Sequence, residues 1–497
     1  MAFTSETHSR HRLRYVSRRA KIVCTLGPAT NSEEQIGALI DAGMDVARMN
    51  FSHGSHDEHL ERITIVREQA ALRDKAVGIL VDLQGPKIRL ETFDHGKTEW
   101  LKGQHVVIDT EPGHGEPDHI STTYTGLAGD VKPGDKMLID DGNIAVEVMT
   151  VEGSQVACRV VEGGFVSNHK GINLPGVNVS VPALSEKDVE DLRFGMTHDC
   201  DFIALSFVRS PRDIDRVHEI MGEFGRRVPV IAKIEKPEAV DDLDAIVLAF
   251  DAIMIARGDL GVEMALESVP LVQKRAIQLA RELAKPVIVA TQMLESMISN
   301  SRPTRAEASD VANAVLDGTD ALMLSGETSV GAHPIESVKV MARIIAAAED
   351  QGLHIVQKIR TQPRTRGGAI ARAAIDVANA VEAIALVAFT QTGDTVRRLS
   401  RHRPSIPLLA FTPLPEIRRQ MALSWGVESF ESKIVLHTDE MVEQVDIALR
   451  EMGRGEAGDQ VVIVAGSPPN TPGSTNAMRV HRLGYVVGPK VPSAERG

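Results

Sequence analysis

Eight short apolar runs, each closed by polar residues or glycine and most followed by a helix-like pattern, constrain this chain more than any other feature. They occupy residues 21–28, 44–51, 77–85, 202–208, 228–236, 252–261, 286–294 and 321–328. Strands that are apolar along their whole length are buried on both faces, as in a parallel sheet covered by helices. Helix starts stand between them. Asn31-Ser32-Glu33-Glu34 offers a capping box with Gly43 as a stop, and Ser185-Glu186-Lys187-Asp188 and Ser210-Pro211-Arg212-Asp213 open two more. Eight βα units in series predict an α/β protein built on a (β/α)8 (TIM) barrel.

Two stretches break the rhythm. Residues 86–182 are rich in Val, Ile, Thr and Gly, alternate in polarity at 105–109, and read as a hairpin around Asp141-Gly142. They predict a small β-barrel domain inserted in a βα loop, overhanging the face where barrel enzymes place their chemistry and able to act as a lid. After residue 347 a helix at 369–380, strands at 383–389 and 406–412, a helix at 416–425 and a strand at 460–466 predict a separate α/β domain. The expected organisation is a flexible arm at 1–17, a barrel from 18–85 and 183–347, a lid at 86–182, and a C-terminal α/β domain at 348–497. The basic segment at 8–21 precedes an apolar run too short for a signal sequence, so a cytoplasmic location is expected.

Composition excludes several functions. A net charge of −13 and only 12 Phe, 3 Tyr and 2 Trp in 497 residues argue against nucleic acid as a partner. Cys24, Cys158 and Cys200 have no metal-like spacing. No apolar run reaches the length of a membrane span.

Chemistry is expected where polar residues interrupt these strands near their C-terminal ends. Period-two alternation puts Arg48, Asn50 and Ser52 on one face, Lys233 and Glu235 on another, and Arg257 and Asp259 on a third. Thr291 closes the seventh run, and Ser325 and Glu327 close the eighth. Buried charges are costly unless compensated, so charges on several strands at one end point to a polar cup with a catalytic purpose. Glu235 and Asp259 are hard oxygen ligands suited to Mg²⁺ or Mn²⁺. Arg48 and Lys233 beside them call for an anionic substrate bearing phosphate or carboxylate. No P-loop sequence is present.

Six segments in order carry a more specific signal: residues 21–30 (KIVCTLGPAT), 48–54 (RMNFSHG), 231–235 (IAKIE), 256–261 (ARGDLG), 290–294 (ATQML) and 324–328 (LSGET). In these the chain resembles the pyruvate kinase family. The resemblance implies transfer of the phosphoryl group of phosphoenolpyruvate to ADP, giving pyruvate and ATP, usually by a homotetramer. It assigns the divalent metal to Glu235 and Asp259, and the phosphoryl group in flight to Lys233 and Arg48. Substrate binding falls to Ser206, Arg257, Gly258, Asp259 and Thr291, and the proton relay to Thr291 with Ser325 and water. The nucleotide side falls to Asn50, His53, Arg89 and Lys170. A metal-dependent aldolase or lyase would share the carboxylate pair but leaves the lid and Lys233 unexplained. A catalytically dead sensor would have lost one of Arg48, Lys233, Glu235, Asp259 or Thr291, and all five are present.

Two departures from the family carry expectations. Many members require K⁺ near Asn50, Ser52 and Asp82, and their third strand commonly ends Asp-Thr-Lys-Gly-Pro-Glu; here it ends Asp82-Leu83-Gln84-Gly85-Pro86-Lys87. An ammonium at Lys87 can supply the charge that K⁺ supplies elsewhere, so a K⁺-independent enzyme is expected. In the C-terminal domain, Thr390, Gln391, Thr392, Gly393 and Thr395 join a strand to a helix and resemble the family's sugar-phosphate cradle. Asp394, where a basic residue often stands, favours a monophosphate effector. The loop at 467–476 is expected to close over it.

Overall fold

The computed structural model describes residues 18–485 apart from Asn178, Arg360, Asn470 and Pro472. The arm expected at 1–17 lies outside the described residues. All eight apolar runs form strands: Lys21–Thr25, Val46–Asn50, Gly78–Asp82, Phe202–Leu205, Val230–Ile234, Ala252–Ala256, Val287–Ala290 and Ala321–Leu324. Each pairs in parallel with the next in chain order and the last with the first, closing the barrel.

Alternation along these strands sorts two cores. Ile22, Cys24, Ala47, Met49, Ile79 and Val81 face the surrounding helices. Val23, Val46, Leu80, Ala204, Ile231, Met254, Ile288 and Met323 form a second buried cluster within the barrel. Ala422 and Leu423, from beyond the barrel in sequence, belong to that inner cluster and plug it. The plug enters at the strands' N-terminal end, where a Cβ on Gly78 would stand 3.2 Å from the Arg419 carbonyl oxygen. One end of the barrel is therefore sealed with apolar groups, leaving the other for chemistry.

Local signals set the helices. Ser32 caps Glu33–Ala42 in a capping box with Gln35, and Gly43 ends it at φ 123°. Ser185 and Asp188 do the same for Glu186–Thr197. Ser210 does not cap the next helix, Asp213–Gly222, whose cap residue is Arg212. Instead Asp213 reaches back, its carboxylate accepting from the backbone N–H of Arg209 (2.8 Å) and Ser210 (3.1 Å).

Between the third and fourth barrel strands, nine further strands form a seven-stranded sheet and a two-stranded ladder. The expected small barrel closes through residues 88–91: on one side the Leu90 N–H donates to the Lys170 carbonyl (2.8 Å) and the Ile172 N–H to the Ile88 carbonyl (2.9 Å). On the other side the Glu91 N–H donates to the Ser121 carbonyl (2.8 Å) and the Thr123 N–H to the Arg89 carbonyl (2.9 Å), so this segment bridges the two ends of the sheet. The expected hairpin forms, with Lys136–Ile139 antiparallel to Ile144–Glu152 and Asp140, Asp141 and Gly142 all at positive φ. The C-terminal sheet has the order Val427–Glu431, Leu408–Thr412, Ala385–Phe389, Gln460–Gly466, Thr475–Arg482, with only the last strand antiparallel. The helix expected at 416–425 stops at Gln420, followed by a 3-10 turn at Met421–Leu423 that forms the barrel plug. Sequence reading missed the strands Val427–Glu431 and Thr475–Arg482 and the helix Thr438–Glu451, whose patterns are more mixed in polarity.

The barrel and the C-terminal domain meet through buried cations. Trp425 Nε1 donates to Glu349 (3.1 Å), and the guanidinium groups of Arg19 and Arg403 lie over its ring at 5.3 and 5.1 Å. Arg403 pairs with Asp320 at 3.0 Å. His402 beside it is pushed down to about 4, by burial first and then by Arg401, Arg372, Arg281 and Arg403. Its ordinary value is 6.5, so the unfolded chain takes up a proton that the folded one refuses. Stability is therefore expected to fall as pH drops from 6.5 to about 4, by about 3 kcal/mol from this group when fully expressed. Urea unfolding across that window, followed by Trp425 fluorescence, should show a shallower pH dependence in His402→Gln.

Candidate active site

The inward-facing positions of the barrel change character towards the strands' C-terminal ends. The face carrying Val23 carries Thr25, Val46 is followed by Arg48, and Leu80 by Asp82. Ala204 is followed by Ser206, and Ile231 by Lys233 and Glu235. These polar side chains meet over the inner apolar cluster. Arg48 Nε pairs with Asp82 Oδ2 at 2.6 Å, and its Nη1 donates to Thr25 Oγ1 at 2.9 Å. Lys233 Nζ lies 2.8 Å from Glu235 Oε1 and 3.5 Å from Asp82 Oδ1, and donates to Ser206 Oγ at 2.7 Å. Ser206 in turn donates to the Leu83 carbonyl at 2.7 Å. Asp82 and Glu235 are both 1% exposed.

Burial and charge pull these groups in opposite directions. Burial alone would lower the Lys233 ammonium, but Asp82 and Glu235 reverse it and hold the group above the ordinary lysine range. Burial would raise Asp82, yet Lys233 and Arg48 hold its carboxyl below the usual range. Glu235 is raised, by burial first and also by the nearby Asp259 carboxylate, against the lowering effect of Lys233. The group holds two cations against three carboxylates, and Asp82 Oδ1 is buried without a hydrogen bond. Hard oxygen donors in excess of positive charge suit a divalent cation of the Mg²⁺ or Mn²⁺ type.

Loops at the strand ends complete the cup. The backbone N–H of Phe207, at φ 54°, donates to Glu235 Oε2 at 2.8 Å and fixes that carboxylate. Thr291, at φ 68°, accepts from the Gly258 N–H at 2.7 Å and donates to the Ala290 carbonyl at 2.7 Å. Arg257 and Asp259 do not share a strand face as expected. The strand ends at Ala256, and both residues lie in the first turn of the helix Arg257–Glu263. The Arg257 side chain instead pairs with Asp310 (2.8 Å) and donates to the Thr291 carbonyl (2.8 Å), so it supports the seventh strand's exit. Glu327, expected in the cup, is buried and accepts from the backbone N–H of Leu294 (3.0 Å) and Ser325 (2.7 Å). It fastens the last two strand ends together.

The other sequence-chosen residues lie in separate settings. Asn50 Oδ1 accepts from the Ser52 N–H at 3.2 Å. His53 is exposed, its carbonyl within 2.9 Å of His59 Nε2. Arg89 donates to the His169 carbonyl (3.0 Å), and Lys170 pairs with Asp140 (2.7 Å), both within the inserted domain. Lys87 packs its stem against Gly171, where a Cβ would stand 2.9 Å from its Cε, and lines a cleft with Phe207, Arg209 and Lys236. Thr390, Gln391, Thr392 and Thr395 line an open cleft of about 580 Å³ with Lys433 and Ser474. Thr390 Oγ1 accepts from the Gly393 N–H (2.9 Å), and Gly393 caps the helix Asp394–Ser400. Thr395, largely buried in the cleft wall, hydrogen-bonds Thr475 (2.6 Å), and Asp394 is paired with Arg398 (2.6 Å). Of the loop expected to close over this cleft, Asn470 and Pro472 lie outside the described residues, and the segment from Thr475 is strand.

Sequence reading missed Thr25 as a partner of Arg48 and Asp82 as a partner of Lys233. A polar last residue on an otherwise apolar inward face was the available signal. It also missed Glu263, which accepts from Asn173 of the inserted domain (2.8 Å) and pairs with Lys236, joining that domain to the barrel. Nothing local in the sequence marks that link.

Comparison with known proteins matches the architecture on both sides of residue 350. Residues 17–338 match the family model described as pyruvate kinase, barrel domain, and residues 368–481 match that of the pyruvate kinase alpha/beta domain. The chain belongs to the pyruvate kinase family. The pyruvate kinase of Mycobacterium intracellulare is 61% identical over 469 residues, 94% of this chain and 99% of the relative. That of Corynebacterium glutamicum is 58% identical over 469 residues, 94% of this chain and 98% of the relative. A solved pyruvate kinase from Cryptosporidium parvum superposes with a TM-score of 0.86 at 37% identity, covering 94% of this chain and 96% of that one. Among the described residues no helix is long and apolar enough to cross a membrane.

Asp82 ties both cations of the cup, so its loss leaves Arg48 and Lys233 facing each other with one anion fewer. Asp82→Asn is expected to lower stability by about 3–5 kcal/mol, the range for breaking a buried ion pair. Urea denaturation of the variant measures that loss directly.

Proposed function

We propose that this pyruvate kinase family member moves the phosphoryl group of phosphoenolpyruvate to ADP on the residues gathered around Lys233. The observation that carries this reading is a lysine ammonium kept charged by Asp82 and Glu235 at the open end of a barrel whose other end is plugged. A fixed ammonium stabilises a transferring phosphoryl group because charge is spread over its equatorial oxygens while the bond to the enol oxygen breaks. Arg48, locked by Asp82 and Thr25, offers a guanidinium to the same phosphate. Glu235 and Asp259 would hold Mg²⁺ or Mn²⁺, which when bound neutralises substrate oxygens.

An ADP oxygen forms the new bond to phosphorus, and the enolate left behind must gain a proton at its methylene carbon. Thr291 is the proposed relay, with Ser325 and water. Its hydroxyl already bridges the Gly258 N–H and the Ala290 carbonyl, so it is held in one orientation before substrate arrives. Asn50, His53, Arg89 and Lys170 are proposed for the nucleotide. The inserted domain is proposed as a lid, and the Asn173–Glu263 hydrogen bond and the Glu263–Lys236 pair tie it to the barrel. Lys87 is proposed as the built-in replacement for K⁺, acting together with Asn50, Ser52 and Asp82. The cleft at Thr390–Gly393 is proposed to bind a sugar monophosphate, in a cytoplasmic homotetramer.

ATP formation from phosphoenolpyruvate and ADP with Mg²⁺ tests the reaction. Lys233→Met should lower kcat by about 10²–10³, and an unchanged kcat would remove Lys233 from the mechanism. Rates in KCl and in a tetramethylammonium salt of equal ionic strength should agree, while Lys87→Glu should become K⁺-dependent. Activity only with K⁺ in the parent would sink the Lys87 reading and keep the reaction. For the effector, a sugar monophosphate should lower the phosphoenolpyruvate concentration for half-maximal rate. Thr390→Ala should weaken that response without changing the maximal rate.

A further inference from the structure

The inserted domain holds a second group of ligand-type side chains, remote in sequence from the barrel cup. Asp109 ends the strand His105–Asp109, His119 begins the strand His119–Ser121, and His114 lies on the turn between them. Their ligand atoms all lie within 4.8 Å of one another. His119 Nε2 is 3.0 Å and His114 Nε2 3.8 Å from the same carboxylate oxygen, Asp109 Oδ2. The two imidazoles are stacked, with centroids 3.9 Å apart and planes 9° from parallel.

We infer that Asp109, His114 and His119 form a binding site for a divalent transition metal of the Zn²⁺ class. Two imidazoles and one carboxylate are the donor set that borderline metals prefer over Mg²⁺, which seeks oxygen alone. Tetrahedral Zn²⁺ with bonds of about 2.1 Å needs ligand atoms about 3.4 Å apart, and the two nitrogen-to-oxygen separations straddle that value. Ring-nitrogen lone pairs lie in the ring plane, so a shared metal requires the more exposed ring, His114, to turn out of the stack with His119, each neutral ring carrying its proton on Nδ1.

The backbone under the site is fixed on all sides. His119 pairs in register with Val107 and Ser121 with Asp109. The His114 N–H donates to Ser121 Oγ (3.0 Å), while its carbonyl accepts from the Ser121 N–H (3.0 Å). Asp109 Oδ1 is already held by the Glu111 N–H at 2.9 Å, which leaves Oδ2 for the histidines. The Asp109 side chain is 1% exposed, and its ion partners among the described residues are these two histidines. The carboxylate also takes hydrogen bonds from the Ser154 and Gln155 side chains, which fix it in place as a ligand. His114 remains one-third exposed, giving an entry path, and the Glu116 carboxylate stands 3.9 Å from its Nδ1 on the solvent side.

Titration of the full-length protein with Co²⁺, under excess Mg²⁺ to keep the catalytic donors occupied, tests the site. One equivalent per chain should develop visible d–d absorption without a thiolate charge-transfer band, because all three cysteines are buried elsewhere. Zn²⁺ should displace it. His114→Gln and His119→Gln should each weaken binding by about tenfold or more, with ATP formation in Mg²⁺ unchanged. The His114 variant is decisive if the His119 variant melts early, since only His119 is within hydrogen-bond distance of Asp109. Absence of saturable Co²⁺ binding under Mg²⁺, or an equal affinity in His114→Gln, would overturn the site.

Discussion

The ion pairs among Arg48, Asp82, Lys233 and Glu235 are what the rest of the molecule is arranged around. Four charged groups at the end of a barrel's interior are tolerable only as a set, because each one alone would face a desolvation cost that nothing repays. Asp82 touches both cations, and Lys233 touches both carboxylates. Around them Thr25 and Ser206 accept from the cations and the Phe207 N–H donates to Glu235, while Asp82 Oδ1 keeps no hydrogen-bond partner. The result is a fixed arrangement of paired charges rather than a set of mobile side chains. Catalysis of phosphoryl transfer asks for little else from a protein.

That field requires a rigid support, and the two ends of the barrel divide the labour. Ala422 and Leu423 close the N-terminal end with apolar surface and bind the C-terminal domain to the catalytic one. The same junction carries Trp425 between Arg19 and Arg403, and Arg281 donating to the Arg401 carbonyl. The C-terminal domain is thus joined to the floor of the barrel through packed side chains rather than open loops.

Much of the fold was legible because its signals are local. Fully apolar runs of strand length, capping boxes at Ser32 and Ser185, and the turn at Asp141-Gly142 each act within a few residues. The places where sequence reading failed each have a physical cause. At Arg257 the strand stops at Ala256 because the chain turns into a helix, so a period-two count carried past that point put the side chain in the wrong place. Glu327, expected in the polar cup, is consumed by two backbone N–H groups. The strands Val427–Glu431 and Thr475–Arg482 lie at the sheet's edges, where mixed polarity hides the strand pattern.

The sequence by itself determined the parity of each strand, and with it that Arg48, Asp82, Lys233 and Glu235 would emerge inside the barrel at one end. Side-chain direction in a strand is a property of the backbone alone, so neighbours in the chain settle it. The tertiary structure decided who meets whom. Asp82 reaches Lys233 across 151 residues of chain, and Asn173 reaches Glu263 across the boundary of two domains, at distances fixed by barrel closure. The same holds for His114 and His119, which the sheet register turns onto one carboxylate oxygen. Periodicity reports only direction; distance between strands is set by every residue that packs the barrel shut.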